Sequence, residues 1–363
     1  MKRTTILAAG VALTSLQAAA QTGGATEIYG RLNVALERVH VSTVAPAKPV
    51  DNQSREVNNR SVLGFRGGED VGGGIKVIWQ IEGTVSPDTG AGSIAARDTR
   101  IGLATPYGTV FAGNWGTAYT TSTQGFDPYY PTTAGYMNIM GNGSAATADN
   151  VSDKTSFDRR QQNSLHYWSP KWNGASLRLA HGFNEEKVGN AKPSLTSAAA
   201  IWEQGGWYLT AAHEIHHEYQ GAGLKDDASK LGAAYQFGAT RVAGVVEKIR
   251  YQAATGNLQR KSWYVSVTHQ IGAHGLRFGV AKAADGEGSY AGALGGLRSG
   301  ADTGALHYTL GYDYALSRRT GLYAYVSHLK NDGRAAYDFA INQAGASAGA
   351  ALTATAFGMR HFF

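Results

Sequence analysis

The stretch Leu352–Phe363, LTATAFGMRHFF, ends the chain and decides its fold. Taken in steps of two it separates into Thr353, Thr355, Phe357, Met359, His361 and Phe363 on one side. Leu352, Ala354, Ala356, Gly358, Arg360 and Phe362 make up the other. Side chains of a strand alternate between faces, so Phe357, Met359 and Phe363 share one surface and Arg360 lies on the opposite one. A soluble domain has little use for a final strand that ends on bare Phe-Phe. A transmembrane barrel does: its outward face meets lipid, its rim carries aromatic side chains and its inner face meets water. The pattern therefore assigns Phe357, Met359 and Phe363 to lipid and Arg360 to the lumen.

Working back from that strand, the same period of two recurs. Leu306, Tyr308, Leu310, Tyr312 and Tyr314 alternate with His307, Thr309, Gly311 and Asp313. Ile75, Val77, Trp79 and Ile81 alternate with Lys76, Ile78, Gln80 and Glu82. Strands are expected near 27–41, 61–69, 74–85, 96–105, 108–117, 162–170, 174–184, 196–204, 206–219 and 228–238. The rest fall near 240–252, 261–272, 275–284, 303–315, 320–330 and 352–363, sixteen in all. An even number lets the ends meet at a seam. Sixteen strands enclose an aqueous channel, whereas about eight would be filled by their own side chains. The fold class is all-β, a sixteen-stranded antiparallel transmembrane barrel. Two connections are long: 118–159, rich in Gly, Asn and Tyr, and 285–302, expected as an exposed surface loop. Loops of this length are usually functional or disordered.

Composition agrees. Lys2 and Arg3 precede an apolar run from Ile6 to Leu16, and Ala18–Ala20 offers a small-residue cleavage site, so residues 1–20 read as a secretory signal peptide and 21–363 as the exported barrel. There is no cysteine, so stability comes from something other than disulfides. Beyond the signal no run reaches the roughly 18 apolar residues of a helical span. The formal charge is +6, of which Lys2 and Arg3 supply two, leaving about +4. That excess is mild, and no nucleic-acid motif accompanies it.

From Gly64 to Glu82 the chain reads GFRGGEDVGGGIKVIWQIE. This run resembles the second and third strands of the general diffusion porins of β-proteobacteria. Tyr107–Val110, Asn163–Pro170 (NSLHYWSP) and Gly358–Phe363 (GMRHFF) support the likeness in order and spacing, while 185–300 matches only in texture. The resemblance implies a homotrimer, a third loop (118–159) folded into the lumen, and a terminal aromatic recognised by the barrel-assembly machinery. It implies outer-membrane lipid and lipopolysaccharide as surroundings, small hydrophilic solutes as cargo, and no cofactor. Where relatives commonly carry arginine this chain has Val62 and Asn114, so only a mild anion preference is expected.

Such a channel selects by the charges at its narrowest point, with wall arginines opposing carboxylates of the infolded loop. Parity places Arg60, Arg66, Lys76 and Glu82 on the luminal side; Arg97 and Arg160 match family wall arginines. Asp127, beside Pro128-Tyr129-Tyr130-Pro131, is the leading loop carboxylate. Arg100, Asp149, Asp153 and Asp158 are secondary candidates, and alternation leaves Arg100 undecided between lumen and subunit interface. His213-Glu214-Ile215-His216-His217 satisfies the H-E-x-x-H zinc pattern, which requires a helix. Here it ends an alternating strand, where residues four apart stand about 13 Å from each other, so no metal site is expected. The expected function is passive diffusion of small hydrophilic solutes. The alternatives are a solute-selective channel for organic acids, phosphate or sugars, with Tyr129, Tyr130 and Tyr136 as a stacking surface, or a barrel-based enzyme or adhesin. No Ser/His/Asp arrangement supports an enzyme.

Overall fold

The computed structural model describes residues 26–46, 48 and 50–363, so the expected signal peptide lies outside the described residues. Sixteen antiparallel strands form one closed sheet. They are β1 (Glu27–Val41), β2 (Asn52–Asn58, resuming as Val62–Gly72), β3 (Ile75–Ser86), β4 (Thr99–Thr105) and β5 (Gly108–Gly116). After a long loop come β6 (Arg159–Trp168), β7 (Ala175–Gly182), β8 (Ser194–Gln204), β9 (Trp207–His217), β10 (Lys225–Phe237) and β11 (Thr240–Ala253). β12 (Gly256–Ile271), β13 (His274–Ala283), β14 (Ala305–Ala315), β15 (Thr320–Asn331) and β16 (Ala351–Phe362) complete the wall. The strands are those expected from alternation, with the largest difference at β2, which already begins at Asn52.

Closure happens at the chain ends. β16 pairs with β15 and with β1, the latter from Val41 opposite Leu352 to Arg31 opposite Phe362. One step further, the Gly30 N–H donates to the Phe363 carbonyl at 3.0 Å and the Phe363 N–H donates back to Gly30 at 3.2 Å. The terminal residue is thus the last rung of the seam. In lipid an open edge would leave a row of unpaired backbone groups, each costing several kcal/mol, so this join is obligatory. Phe357, Met359 and Phe363 are 57%, 52% and 42% exposed on the outer surface, and Arg360 turns inward to Asp313 at 3.1 Å, as the alternation requires.

Tight turns connect the strands at the end where β1 starts and β16 stops, as at Gly72–Gly74 and Gly205–Gly206, and most connections at the opposite end are long. Short turns mark the periplasmic side of such barrels. The loop over 285–302 meets the expectation of an exposed surface segment only in part, its two ends being exposed and its middle packed inward. Leu297 is fully buried, and the Leu294 carbonyl accepts the Asn142 side-chain amide at 2.8 Å, so this loop folds in over the lumen. The 332–350 connection does the same, burying Tyr337 and Phe339. Apolar side chains at loop tips gain most by burial against the infolded 117–158 segment rather than in water.

A Cβ at Gly30 would stand 2.3 Å from the Phe363 ring and 2.7 Å from the Val62 carbonyl. Gly30→Val should therefore destabilise the barrel by about 1–3 kcal/mol, the cost of overpacking a tight site. Heat-modifiable migration of folded against unfolded protein reads this directly. Leu32→Ala on the same strand faces lipid and should shift the transition far less; equal behaviour of the two variants would remove the seam from its place in the stability of the wall.

Candidate functional site

Between β5 and β6 the chain enters the barrel. Thr117 caps a short helix, Ala118–Thr123, by accepting from the Thr120 N–H, and single turns follow at Gln124–Phe126, Tyr136–Asn138 and Met140–Asn142. The segment leaves as a short strand, Ala145–Ala148, parallel to β6. Gly141 lies at φ +70, where a Cβ would also meet Asp158 at 2.7 Å, so glycine is required at that bend.

Buried carboxylates hold the loop. Glu247 of β11 points inward and accepts from the Tyr119 hydroxyl at 2.7 Å, the Gly141 N–H at 3.0 Å and the Ser262 hydroxyl at 3.0 Å. Arg260, fully buried, stands 3.4 Å from the same carboxylate and donates to the Ile139 carbonyl at 2.8 Å. The second pin is Asp127, which is not bonded to Arg60, Arg97 or Arg160 but accepts from the Tyr136 and Tyr129 N–H groups at 2.8 and 2.9 Å and from the Tyr264 hydroxyl at 3.2 Å, while Arg277 of the wall donates to the neighbouring Pro128 carbonyl. Burial pushes its carboxyl up to about 6, against the lowering effect of those two N–H groups. Tyr129 and Tyr136 are buried as well, the Tyr129 hydroxyl donating to the Arg277 and Thr309 carbonyls, so neither offers a stacking surface.

The wall facing the loop carries the arginines. Arg60 sits at a break in β2, with φ +55, where Asn33 of β1 bonds Asn59 and Ser61 in place of the regular ladder. That break turns Arg60 into the lumen, where it donates to the Tyr130 hydroxyl at 3.2 Å and to Ser144 at 2.8 Å. Arg31 of β1 donates to the Arg60 carbonyl at 2.7 Å. Among the described residues no carboxylate pairs with either guanidinium. Arg97 and Glu82 are buried and bonded to each other at 2.9 Å, and the Tyr29 hydroxyl donates to the other Glu82 oxygen at 3.0 Å. Arg160 pairs with Asp98 at 2.5 Å and donates to the Ala146 carbonyl of the loop. Burial pushes the Tyr130 hydroxyl up, but Arg60, Arg160 and Arg97 outweigh it, and the net shift is downward. The loop tip lies in a positive field.

The remaining candidates separate by height and by partner. Arg66 faces the lumen as expected but near the periplasmic rim, half exposed and bonded to Glu27 at 2.7 Å, away from Arg60. Lys76 is exposed beside the same periplasmic turn. Arg100 faces the lumen, stacked over Trp115 at 4.3 Å and Phe111 at 4.8 Å, which settles its orientation. Asp149 accepts from the Val151 and Ser152 N–H groups of its own turn, and Asp153 is exposed at φ +46; the backbone carbonyls of both accept from buried Arg159, and neither carboxylate is bonded to Arg60, Arg97 or Arg160. Asp158 is buried, with one oxygen unpartnered, and burial raises its carboxyl despite Arg60 and Lys230 nearby. Asn114 donates to the Arg97 carbonyl and to Thr147, and Val62 is buried. In the zinc-like motif, His213 points outward while Glu214 and His216 pair inside at 3.0 Å, as a strand dictates. Arg31, Arg277 and Asp313 were not singled out in sequence, although Tyr29, Arg31 and Asn33 alternate with Ile28 and Leu32. Arg277 and Arg360 share the Asp313 carboxylate just below the loop.

Removing Glu247 leaves Arg260 buried without a counter-charge, a loss of about 3–5 kcal/mol. Glu247→Ala should free the loop, read as faster proteolytic cleavage within 118–158 in folded protein; an unchanged rate would contradict the pin. For Asp127 the docked-state pKa lies above the ordinary 3.8, so docking takes up a proton. Loop docking should tighten as pH falls from about 6 toward 3.8 and weaken as it rises again. Hydrogen exchange over 126–140, corrected for intrinsic rates, should show this, and Asp127→Asn should flatten it; a profile that runs the other way refutes the assignment.

A family model described as Gram-negative porin matches residues 4–334. Outer membrane porin protein 32 of Delftia acidovorans is 24% identical over 322 residues, 84% of either chain. The major outer membrane protein P.IA of Neisseria meningitidis serogroup B is 40% identical over 70 residues, 19% of this chain and 18% of that one. Among solved structures, the anion-selective porin from Comamonas acidovorans superposes with a TM-score of 0.78 at 21% identity, covering 94% of this chain and all of that one. The trimer form of OmpT from Vibrio cholerae gives 0.63 at 15% identity, covering 94% and 100%.

Proposed function

The chain belongs to the Gram-negative porin family and is an outer-membrane channel, and we propose that its solutes are small hydrophilic molecules and ions passing down their gradients with a mild preference for anions. The observation that carries the preference is the unequal neutralisation of the wall. Glu82 and Asp98 cancel Arg97 and Arg160, whereas Arg31 and Arg60 donate only to neutral groups among the described residues, with the buried loop carboxyl Asp158 near Arg60 but not bonded to it. A net positive wall opposite a docked loop, inside low-dielectric surroundings, raises the local anion concentration. Two such cations argue for a bias, not for exclusion of cations. The constriction then comprises Arg31, Arg60, Arg97, Glu82 and Arg160 with the loop over 118–158, and Arg66 acts as an entrance charge below it. The relative from Comamonas is described as anion-selective, which is consistent with this.

The protein acts as a passive channel, not an enzyme. It assembles as a homotrimer, for which the trimer form of the Vibrio protein is a precedent. Phe363, outward at the seam with Phe357 and Met359, serves as the assembly signal. The experiment is the reversal potential of reconstituted protein in a tenfold potassium chloride gradient. Arg60→Glu should lower the anion-to-cation permeability ratio several-fold, and Arg66→Glu, whose partner Glu27 already screens it, should lower it by less than half as much. An Arg60→Glu channel with unaltered selectivity would falsify the assignment.

A further inference from the structure

Below the docked loop the luminal wall carries a second group of cations. Arg277 of β13, Asp313 of β14 and Arg360 of β16 all point inward, alternating with outward Leu276, Tyr312 and Met359. Both guanidinium groups address the same Asp313 oxygen, Oδ1, Arg360 at 3.1 Å. Arg277 also donates to the Pro128 carbonyl of the loop. One carboxylate thus serves two cations, and the trio keeps a positive charge in excess.

These three residues line a cavity of about 400 Å³ at the periplasmic end of the lumen. Its rim is the turn over 316–319 between β14 and β15. Arg318 and Arg319 stand exposed on that turn, and neither forms an ion pair among the described residues. The lining therefore holds four guanidinium groups against one carboxylate, an excess of three positive charges. Self-repulsion of this kind costs stability and concentrates anions from solution.

The geometry discriminates among anions. Guanidinium groups arrive from β13, from β16 and from the turn, so donors reach the cavity from several directions. A planar carboxylate meets one such fork edge-on, whereas a tetrahedral phosphate offers oxygens to several at once. Thr268 of β12, Gln236 of β10 and Ser317 of the turn place hydroxyl and amide groups on the rest of the lining. Those neutral groups suit a hydroxylated body attached to the phosphate.

We propose that Arg277, Arg318, Arg319 and Arg360 form a binding site at the periplasmic mouth for soluble phosphate monoesters of small polyols. The proposal rests on the channel reading above and adds a saturable site to its general anion preference. The residues are not those of the constriction, and a solute that has passed the loop meets them next. Arg277 and Arg360 face the lumen, which a soluble ester enters more directly than a bilayer lipid does.

The test is calorimetric titration of the purified protein in uncharged detergent at low ionic strength with glycerol 3-phosphate, lactate and dihexanoyl phosphatidic acid. Glycerol 3-phosphate should bind saturably and roughly tenfold more tightly than lactate. Arg318→Gln and Arg319→Gln, both at exposed turn positions where folding is not at stake, should each weaken it about tenfold, the loss of one charge-assisted hydrogen bond. Arg60→Glu shares no partner with the cavity and should change the affinity by less than about twofold. Equal affinity for glycerol 3-phosphate and lactate, or for the parent and both turn variants, overturns the proposal. So does a loss in Arg60→Glu as large as in the turn variants, which would place the anion at the constriction. Tighter binding of the phosphatidic acid overturns the choice of a soluble ester. Absence of potassium chloride conductance from the same preparation would instead count against the channel itself.

Discussion

Backbone hydrogen bonding in hydrocarbon is the constraint on which the structure depends. Lipid offers no partner for a strand edge, so the sheet must return to its first strand. Gly30 and Phe363 make the final exchange of backbone bonds, and only a glycine leaves room there for the terminal ring. Once the wall closes, alternation assigns each side chain to lipid or to lumen. The long connection after β5 can then bury its apolar residues only by entering the barrel. Its position is a consequence of closure combined with the content of its own sequence.

Inside, ionised groups divide between two tasks. Glu247 and Asp127 gather donors from the loop and fix it against the far wall, while Lys230 donates to Thr123 from the same side. On the opposite side the arginines outnumber the carboxylates that meet them. A buried pair such as Arg97 with Glu82 contributes little net stability and little net field. An unpaired guanidinium such as Arg60 costs stability and supplies field. Transport properties therefore depend on which arginines lack an acidic partner, more than on how many are present.

Much of the wall was legible in the sequence because a period of two needs only nearest neighbours to be read. The strands, the outward Phe357, Met359 and Phe363, and the luminal Arg66 and Arg360 all follow from it, whereas Arg60, expected in the lumen on the same ground, reaches it through a break in the strand. Parity would also have picked out Arg31. The loops were less legible, because a side chain there has no period to assign its direction. Asp127 could be recognised as important but not as a pin, since its donors include Tyr264 from a distant strand. For the same reason the inward packing of the middle of 285–302, where Leu294 and Leu297 are buried, could not be anticipated, nor the break in β2 that aims Arg60. Arg100 needed the aromatic rings of β5 and β6 to show which way it faces.

The central claim is that the closed wall encloses a water-filled passage narrowed by the docked loop. Single-channel recording in a planar bilayer, on the intact chain and on a form with residues 124–140 replaced by a short flexible link, tests it most directly. The account predicts discrete ohmic steps from the intact protein and larger steps from the shortened one. Folded protein that conducts nothing, or steps of the same size in both, would contradict it.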